Sequence, residues 1–338
     1  MNNKIIHVGI IGTGSIGAQH ARVLRTIPGA VLFAISDLDV KRMELLSREI
    51  GVTRIYKDPN ELIRSVDAVI VASPDKTHAE YVLKALELEK PVFCEKPLAS
   101  TPQEALDIVK KEVTINKRLV SVGFNRRFDP RHQEVRRTVL EEKLGKPLLW
   151  KGYHRNAEAM YDTDGCFILN NSAGHDIDSA CWILNSAVKR ISTVGMRSRK
   201  GLPKEARDLL LVRLEMENGT QAVAEIFVNA RYGYEVGLEI VCQDGVVTMG
   251  NRQKACLRSG EKRGFKLTSD FREYFFESYR FEITSWIDSL LTSSNFSGAS
   301  AYDGYRALLT TFAAGKSLMD GVPVKVETVE EPSMYGGQ

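Results

Sequence analysis

The sequence predicts a two-domain α/β protein, with an N-terminal doubly wound parallel sheet and a C-terminal α+β domain whose open sheet is largely antiparallel. Short β-branched segments alternate with segments of helical period as far as Val122. After Asn125 the pattern changes to longer runs of alternating apolar and polar residues. We therefore predict a first domain at residues 1–124 and a second domain at residues 125–338.

The first domain has the strand–helix alternation of a parallel sheet. Its strands are predicted at Ile5–Ile11, Val31–Ser36, Ala68–Ala72, Pro91–Cys94 and Leu119–Val122. The helices between them are predicted at Ile16–Ile27, Val40–Ile50, Thr77–Leu88 and Pro102–Ile115. The strands are almost continuous in apolar residues, which is typical of strands that are buried on both faces by helices.

The second domain combines helical segments with hairpins. Alternating, strand-like segments are Leu209–Glu217, Gln221–Asn229, Gly237–Cys242 and Gly245–Met249. The dipeptides Asn218-Gly219 and Asp244-Gly245 stand between them, and such dipeptides favour tight hairpin turns. Helices are predicted at Pro130–Glu142, around His175–Leu184, at Tyr279–Leu291 and at Gly304–Leu318. A mostly antiparallel sheet with helices follows from this pattern.

The composition excludes several classes of protein. Of 338 residues, 43% are hydrophobic and 26% charged, with a formal net charge of +3, which is ordinary for a globular protein. No dense Lys/Arg run indicates nucleic-acid binding, and no apolar run is long enough to cross a bilayer. We find no signal peptide and no metal-binding motif, and we expect reduced cysteines in a cytoplasmic protein. The cysteines are Cys94, Cys166, Cys181, Cys242 and Cys256.

A glycine-rich turn follows the first predicted strand. The segment Gly12-Thr13-Gly14-Ser15-Ile16-Gly17 matches G-x-G-x-x-G, in which Gly12 makes the turn, Gly14 admits a pyrophosphate and Gly17 lets the helix pack on the strand. Asp37 ends the second strand 20 residues later, where a carboxylate binds the adenosine ribose. This predicts a Rossmann domain. NAD is favoured over NADP because Leu38 and Asp39, not arginine, follow Asp37. The alternative to a functional dinucleotide site is a Rossmann-like fold whose site is unused or altered.

Two further loops are expected at the carboxyl edge of the same sheet, where doubly wound folds bind ligands. The segment Cys94-Glu95-Lys96-Pro97 ends one strand, which places Glu95 at the cofactor and Lys96 toward its nicotinamide end. The Lys96–Pro97 bond is a candidate for cis geometry. Ser73 and His78 follow the strand Ala68–Ala72 and are predicted to contact the cofactor, although His78 is also a plausible helix-start residue.

These motifs resemble those of the Gfo/Idh/MocA oxidoreductases. The residues that carry the resemblance are Gly12–Gly17, Glu95-Lys96-Pro97 and Gly174–Asp178, and the similarity runs essentially from end to end. It implies an NAD-dependent dehydrogenase that acts on a secondary alcohol of a cyclitol or sugar, first of all myo-inositol oxidised to its 2-keto derivative. It also implies a homotetramer in which the second domain binds substrate and assembles the subunits.

The resemblance assigns catalytic roles that the side chains can support. His175 accepts the hydroxyl proton, because its pKa range suits a general base. Lys96 holds the hydroxyl oxygen and stabilises it as the proton leaves. Asp178 lies three residues after His175 and therefore on the same helical face, where it orients the imidazole or binds a substrate hydroxyl. A core histidine on a helix that Asp176 and Asp178 merely solvate is the alternative.

Substrate-binding residues are carried over by position. Arg126, His154, Asn156 and Tyr234 are polar groups suited to a ring of hydroxyls, although each taken alone could be structural. Asn171 stands four residues before His175, where dehydrogenases of this type carry an aspartate. An amide cannot stabilise an imidazolium as a carboxylate does. We therefore expect a less supported base, a compensating carboxylate elsewhere, or a substrate other than myo-inositol.

Three functions remain to be distinguished. The first is an NAD-dependent cyclitol dehydrogenase. The second keeps the fold and cofactor but acts on another inositol isomer, an aldose or a glycoside. The third is a sugar- or cofactor-sensing protein on a dehydrogenase fold that has lost its activity, and the presence of Lys96 and His175 argues against it.

Of the other histidines, His7 and His20 are interpreted as structural and His132 as a surface residue.

Overall fold

The structure is a computed structural model that describes residues 5–159, 164–250 and 256–336. The chain forms two compact units. The first unit comprises residues 1–128, 277–309 and 328–338, and the second comprises residues 129–276 and 310–327. Each unit is therefore assembled from segments that are distant in sequence. The first domain predicted from the sequence corresponds to the longest segment of the first unit.

Strands and helices make up most of the described chain. The strands are β1 (Ile6–Ile11), β2 (Ala30–Ser36), β3 (Ile55–Tyr56), β4 (Ala68–Val71), β5 (Val92–Glu95), β6 (Val120–Gly123), β7 (Pro147–Arg155), β8 (Val188–Met196), β9 (Leu209–Met216), β10 (Gln221–Phe227), β11 (Glu235–Cys242), β12 (Val246–Thr248), β13 (Cys256–Ser259), β14 (Lys262–Phe265), β15 (Ala299–Ser300) and β16 (Val324–Lys325). The helices are α1 (Ser15–Leu24), α2 (Val40–Ile50), α3 (Pro59–Ser65), α4 (His78–Glu87), α5 (Pro102–Ile115), α6 (Pro130–Leu140), α7 (Gly165–Ile168), α8 (Gly174–Leu184), α9 (Phe271–Tyr274), α10 (Phe276–Thr292) and α11 (Ala301–Asp320).

The first unit is built on a sheet of order β15-β6-β5-β4-β1-β2-β3. Strands β1 to β6 are mutually parallel, and β15 pairs antiparallel with β6. The order 3-2-1-4-5-6 is that of a doubly wound dinucleotide-binding fold, so the predicted fold class is confirmed. The short elements β3 and α3 were not predicted, because two strand residues and seven helical ones give little periodicity.

The later chain segments complete the core of the first unit. Trp286 of α10 packs with Phe93 and with residues of β1 and β2 in one buried cluster. Tyr302 of α11 and Tyr335 near the C-terminus belong to the cluster on the other face of the sheet. The Tyr335 hydroxyl donates a hydrogen bond to Glu112 (2.6 Å), which in turn accepts bonds from the start of β6. The parallel sheet is thus covered partly by residues from the C-terminal end of the chain.

The second unit is built on a sheet of order β12-β11-β7-β10-β9-β8-β16. All its pairings are antiparallel except that of β7 with β10, so the predicted sheet type is confirmed. Side chains alternate between buried and accessible along β9 and β10, as expected when one face is covered. The turns at Asn218-Gly219 and Asp244-Gly245 join antiparallel strands as predicted. The strand β8 was not predicted.

One histidine lies elsewhere than predicted. His132 of α6 is 0% exposed, not a surface residue, and its Nδ1 lies 3.6 Å from Asp129 Oδ1. Asp129 also caps α6 through the Arg131 backbone nitrogen. A histidine at the third position of a polar-looking helix start is easily taken as exposed, since the sequence does not show which face the helix buries. In the described ranges, no helix combines the length and apolarity needed to cross a membrane.

Candidate active site

The glycine-rich turn between β1 and α1 has the geometry that its sequence predicts. Gly12 has φ of +95°, and a β-carbon there would collide with the backbone of Ala72 at the end of β4. A β-carbon on Gly17 would collide with the Gly12 carbonyl oxygen. Both positions therefore require glycine, for conformation at Gly12 and for close packing at Gly17.

Gly14 is different, because space opens above it. The nearest atom to a β-carbon at Gly14 would be Arg42 Nη1, at 3.8 Å. Gly14 is also the N-cap of α1, and as a glycine it has no side chain with which to cap that helix end. An open approach to an uncapped helix N-terminus fits a pyrophosphate, which backbone N–H groups and the helix dipole bind. Arg42 was not predicted; its place in the first turn of α2, after Asp37, is the signal that sequence reasoning passed over.

Asp37 joins the glycine turn to the end of β2. Its Oδ2 accepts hydrogen bonds from the Thr13 backbone nitrogen (2.6 Å) and hydroxyl (2.8 Å), and its Oδ1 accepts one from the Asp39 nitrogen (2.8 Å). Burial tends to raise the pKa of Asp37, but these bonds and the charge of Arg42 outweigh it and lower the pKa. Asp37 is therefore ionised at neutral pH, and a carboxylate has further acceptor capacity for a ribose hydroxyl.

His78 lies between the two predicted cofactor loops. Its Nδ1 is 2.7 Å from the Pro97 carbonyl oxygen, and its Nε2 is 2.8 Å from the Ser73 carbonyl oxygen. The ring is buried, so it connects the loop after β4 to the loop after β5. The Ser73 hydroxyl contacts that of Thr77 (2.7 Å). Contact of either residue with the cofactor stays a prediction.

Lys96 directly follows β5, at the carboxyl edge of the sheet. The Lys96–Pro97 bond is cis, as predicted. Burial lowers the pKa of the Lys96 ammonium; the negative charges of Glu95 and Asp75 oppose this, while the charge of Arg126 lowers the pKa further. Arg126 is buried in a 3₁₀ turn that follows β6. The first unit thus holds two of the predicted substrate-side cations within electrostatic reach of each other.

The second unit places the other predicted residues on α8 and the turn before it. Asn171 lies in a π-helical turn, Leu169–Ala173, and its Nδ2 donates to the Phe167 carbonyl oxygen (3.3 Å). Such turns recur at functional sites, because they add a residue and re-aim side chains. His175 stands in the first turn of α8 and is partly accessible, whereas Asp178 is buried one turn later.

His154 is the centre of a buried polar array. Its Nδ1 lies 3.2 Å from Asp176 Oδ2, and its Nε2 lies 3.2 Å from the Tyr234 hydroxyl. The register explains the approach of Tyr234, since Glu235 pairs with Arg155 and so the residue before it lies beside the end of β7. Tyr234 is 5% exposed and packs against Phe271, Tyr274 and Phe275, which fixes its ring.

Asn156 follows β7 at the same end of the sheet. Its backbone bonds to Phe227 (2.9 Å) and Ala230 (2.9 Å) hold it beyond the strand. Its Oδ1 is buried and has no hydrogen-bond partner among the described residues. A buried acceptor without a partner is costly, so a ligand hydroxyl at this place would be stabilising. His154, Asn156, Asp176 and Tyr234 are thus brought together.

Asp176 was not predicted as a site residue. The sequence shows it only beside His175 on a predicted helix, where it reads as a solvated or capping carboxylate. Its contact is with His154, 22 residues away, and depends on α8 packing across β7. No single-sequence pattern contains that information. Among the residues that the structure describes, no cluster of His, Cys, Asp or Glu could hold a metal ion.

Comparisons with known proteins agree with this geometry. Residues 6–124 match the family model described as "Oxidoreductase family, NAD-binding Rossmann fold", and residues 132–248 match the "GFO/IDH/MocA C-terminal domain". The chain is 38% identical to the inositol 2-dehydrogenase of Rubrobacter xylanophilus, over 99% of this chain and 97% of that protein. It is 36% identical to the inositol 2-dehydrogenase/D-chiro-inositol 3-dehydrogenase of Shouchella clausii, over 98% of this chain and 96% of that protein.

A solved structure is similar over the same extent. The myo-inositol dehydrogenase of Lactobacillus casei, in complex with NAD(H) and myo-inositol, matches with a TM-score of 0.94 and 30% identity, covering 98% of this chain and 99% of that one. Both family models and the full-length relatives therefore lead to one conclusion. The chain belongs to the GFO/IDH/MocA family of oxidoreductases, with an NAD-binding Rossmann domain at its N-terminal end.

Proposed function

We propose that this protein catalyses the NAD-dependent oxidation of a secondary alcohol on a cyclic polyol, namely myo-inositol to 2-keto-myo-inositol. The observation that carries the substrate class is the buried array of Tyr234, His154 and Asp176 beside Asn156, since a polyol needs several convergent donors and acceptors. The full-length similarity to inositol 2-dehydrogenases supports the choice of an inositol.

The first unit fits NAD. The open space above Gly14 and the N-terminus of α1, including Ser15 and Ile16, would receive the pyrophosphate, and ionised Asp37 would receive the adenosine ribose. The negative charge of Asp37 disfavours a 2′-phosphate and hence NADP. Ser73, His78 and Glu95 would border the cofactor from the neighbouring loops. When bound, NAD accepts the hydride from the carbinol carbon.

Residues of this chain bind the oxygen of the reacting hydroxyl group and accept its proton. Lys96 holds the hydroxyl oxygen and stabilises its growing negative charge. His175 accepts the hydroxyl proton, and Asp178, one helical turn later, orients the imidazole or binds a neighbouring hydroxyl. Arg126, His154, Asn156, Asn171 and Tyr234 bind the remaining hydroxyls and so orient the carbinol hydrogen.

A substrate panel tests this function. The protein is incubated with NAD or NADP and with myo-inositol, scyllo-inositol, D-chiro-inositol, glucose, xylose and a methyl glycoside, and NADH absorbance is followed. We expect the highest kcat/KM with myo-inositol and NAD. In Lys96→Met, kcat should fall by about a hundredfold or more, because the oxygen loses its cationic partner, while NAD still binds.

Two other functions correspond to other outcomes of the panel. A higher kcat/KM with D-chiro-inositol, an aldose or the glycoside would indicate a different substrate for the same class of reaction. The presence of Asn171 in place of an aspartate favours this alternative. NAD binding without reduction by any polyol or sugar would instead indicate a sensing protein and would contradict the proposed catalysis.

We also propose a cytoplasmic homotetramer. The outward face of the second sheet carries adjacent apolar side chains, among them Val194 of β8 (60% exposed) and its cross-strand partner Leu211 of β9 (43% exposed). A sheet face of this kind can pair with a second copy, and a tetramer requires one more interface. Light scattering on the purified protein should give four times the chain mass, and Leu211→Glu should reduce it.

A further inference from the structure

A histidine and a glutamate form a buried pair next to Lys96. His20 of α1 is 0% exposed, and its Nε2 lies 2.7 Å from Oε1 of Glu95, the last residue of β5. The two residues are 75 positions apart in sequence. Removing a carboxylate and an imidazole from water is costly, and a buried pair of this kind is weak evidence for a purely stabilising role.

The carboxylate of Glu95 is held at both oxygens. While Oε1 faces His20, Oε2 accepts a hydrogen bond from the Lys96 backbone nitrogen (3.2 Å). On the neighbouring strand β6, a β-carbon at Gly123 would lie 3.1 Å from the carboxyl atoms, so the glycine leaves just enough room for the group. Glu95 therefore has little freedom to turn, and its charge stays at the base of Lys96.

The surroundings of His20 show which of its ring nitrogens donates a hydrogen bond. Nε2 faces a carboxylate oxygen and must be the protonated nitrogen, because a carboxylate only accepts. Nδ1 is buried and has no hydrogen-bond partner in the described part of the chain. An unpaired acceptor nitrogen is less costly there than an unpaired N–H, which agrees with a ring that donates through Nε2. The ring is fixed between Phe93 and Tyr279, with centroids 5.4 and 6.0 Å away.

The carboxylate of Glu95 carries a negative charge next to Lys96. That charge is one of two that oppose the effect of burial on the Lys96 ammonium, the other being Asp75. The charge of Arg126 acts in the opposite direction. Displacing the Glu95 carboxylate would consequently weaken the cationic state of Lys96 and free the backbone from which its side chain extends.

We propose that His20 is a positioning residue for Lys96, acting through Glu95. It fixes the carboxylate so that Glu95 both anchors the Lys96 backbone and keeps its ammonium charged. The inference rests on the proposed role of Lys96 in holding the substrate oxygen. It gives a reactive-site function to a histidine that the sequence alone leaves as structural.

Two substitutions of matched size separate positioning from packing. His20→Gln keeps an N–H that reaches Glu95, whereas His20→Met fills a similar volume without a donor. We expect His20→Met to lower kcat about tenfold or more, with His20→Gln within about threefold of the wild type, and NAD affinity little changed in both. Circular dichroism and thermal melting verify that both variants fold. Equal kcat values in the folded Gln and Met variants would overturn the proposal.

A double-mutant cycle tests the route through Glu95. If His20 acts only through the carboxylate, His20→Met should have little further effect on kcat in a Glu95→Gln background. Losses that simply add would show that His20 acts independently of Glu95, which contradicts the inference. The cycle also identifies a general packing defect, since that would persist in either background.

A second readout does not depend on catalysis. Lys96 keeps some exposure as a residue although its ammonium is desolvated, so acylation of its amine by acetic anhydride at pH 8 is followed over time by mass spectrometry. A weakened ammonium state should make labelling in His20→Met faster than in His20→Gln, by about threefold or more. If the wild type oxidises no polyol, the proposed function fails, but the labelling rates still test the role of His20. Equal labelling rates in His20→Met and His20→Gln would overturn that role.

Discussion

Asn171 occupies the position at which an aspartate would support His175, the proposed base. The two residues are four apart, across the junction of the π-helical turn and α8. A carboxylate here would stabilise an imidazolium, which strengthens the base and raises its pKa. In Asn171→Asp we therefore expect kcat to rise roughly three- to tenfold. The acid limb of the kcat/KM profile should move to higher pH, since the base acts only when neutral.

Asn170→Asp is the matched control for that substitution. It adds the same charge one residue earlier, at a position five residues before His175 instead of four. It should leave the pH profile where it is. If Asn171→Asp changed neither the rate nor its pH dependence, position 171 would have no part in the proton transfer.

The array around His154 also allows a prediction for a single residue. Asp176 faces His154 Nδ1, so it favours the tautomer in which Nε2 is the acceptor for the Tyr234 hydroxyl. Asp176→Asn can present its amide hydrogen to Nδ1 and reverse the tautomer. We expect a KM for the polyol about tenfold higher, with a smaller change in the Kd for NAD.

Tyr234→Phe provides the comparison for Asp176→Asn. It removes the hydroxyl but leaves the tautomer of His154 alone, and its effect on KM should be the smaller of the two. A KM unchanged in Asp176→Asn would show that the array is structural only.

At the scale of elements, two glycines of the β1–α1 turn are expected to have different roles, Gly17 in folding and Gly14 in cofactor binding. Gly17→Ala places a methyl group against the Gly12 carbonyl oxygen and should lower the free energy of unfolding by about 2 kcal/mol. Gly14→Ala meets only Arg42 at 3.8 Å, so the melting temperature without cofactor should stay within about 2 °C of the wild type.

For NAD binding, in contrast to folding, we expect the larger effect in Gly14→Ala. Gly14→Ala narrows the proposed pyrophosphate space and should raise the Kd for NAD about tenfold, as titration calorimetry would show. NAD affinity equal to that of the wild type in Gly14→Ala would place the pyrophosphate elsewhere.

Elements with strong periodicity were predictable from the sequence, and contacts between distant elements were not. The strand–helix order of the first unit and the glycine turn follow from local patterns, as do the hairpins at Asn218 and Asp244. The pairing of His154 with Asp176, and of His20 with Glu95, depends on packing across the sheets. A helix pattern such as that of Tyr279–Leu291 also gives no indication of which unit it joins.

At the scale of the whole molecule, one buried carboxylate connects separate chain segments of the first unit. Asp303 of α11 accepts hydrogen bonds from the Ser300 nitrogen (2.9 Å) and hydroxyl (2.8 Å), and it pairs with Arg127 (3.3 Å) and Arg306 (2.9 Å). Burial opposes ionisation, but the two arginines and Ser300 hold the pKa of Asp303 well below its usual value of 3.8.

Stability should therefore depend on Asp303 in a defined pH range. Because its folded-state pKa is depressed, its stabilisation is fully present above the unfolded value of 3.8 and is lost as pH falls below it. Asp303→Asn should reduce the free energy of unfolding by about 3 kcal/mol at pH 7. The difference should narrow below about pH 4, where the carboxyl becomes protonated in the unfolded state while it stays ionised in the folded state. Urea titrations from pH 7 to pH 3 measure this, and a constant difference would contradict the assignment.

The discontinuous first unit has a consequence for synthesis on the ribosome. Translation delivers strands β1 to β6 early, yet Trp286, Tyr302 and Tyr335, which help to cover them, emerge last. The nascent sheet must then wait, with apolar surface uncovered, for most of the chain to be made. A message truncated shortly before Tyr335 would damage the half of the protein that was translated first.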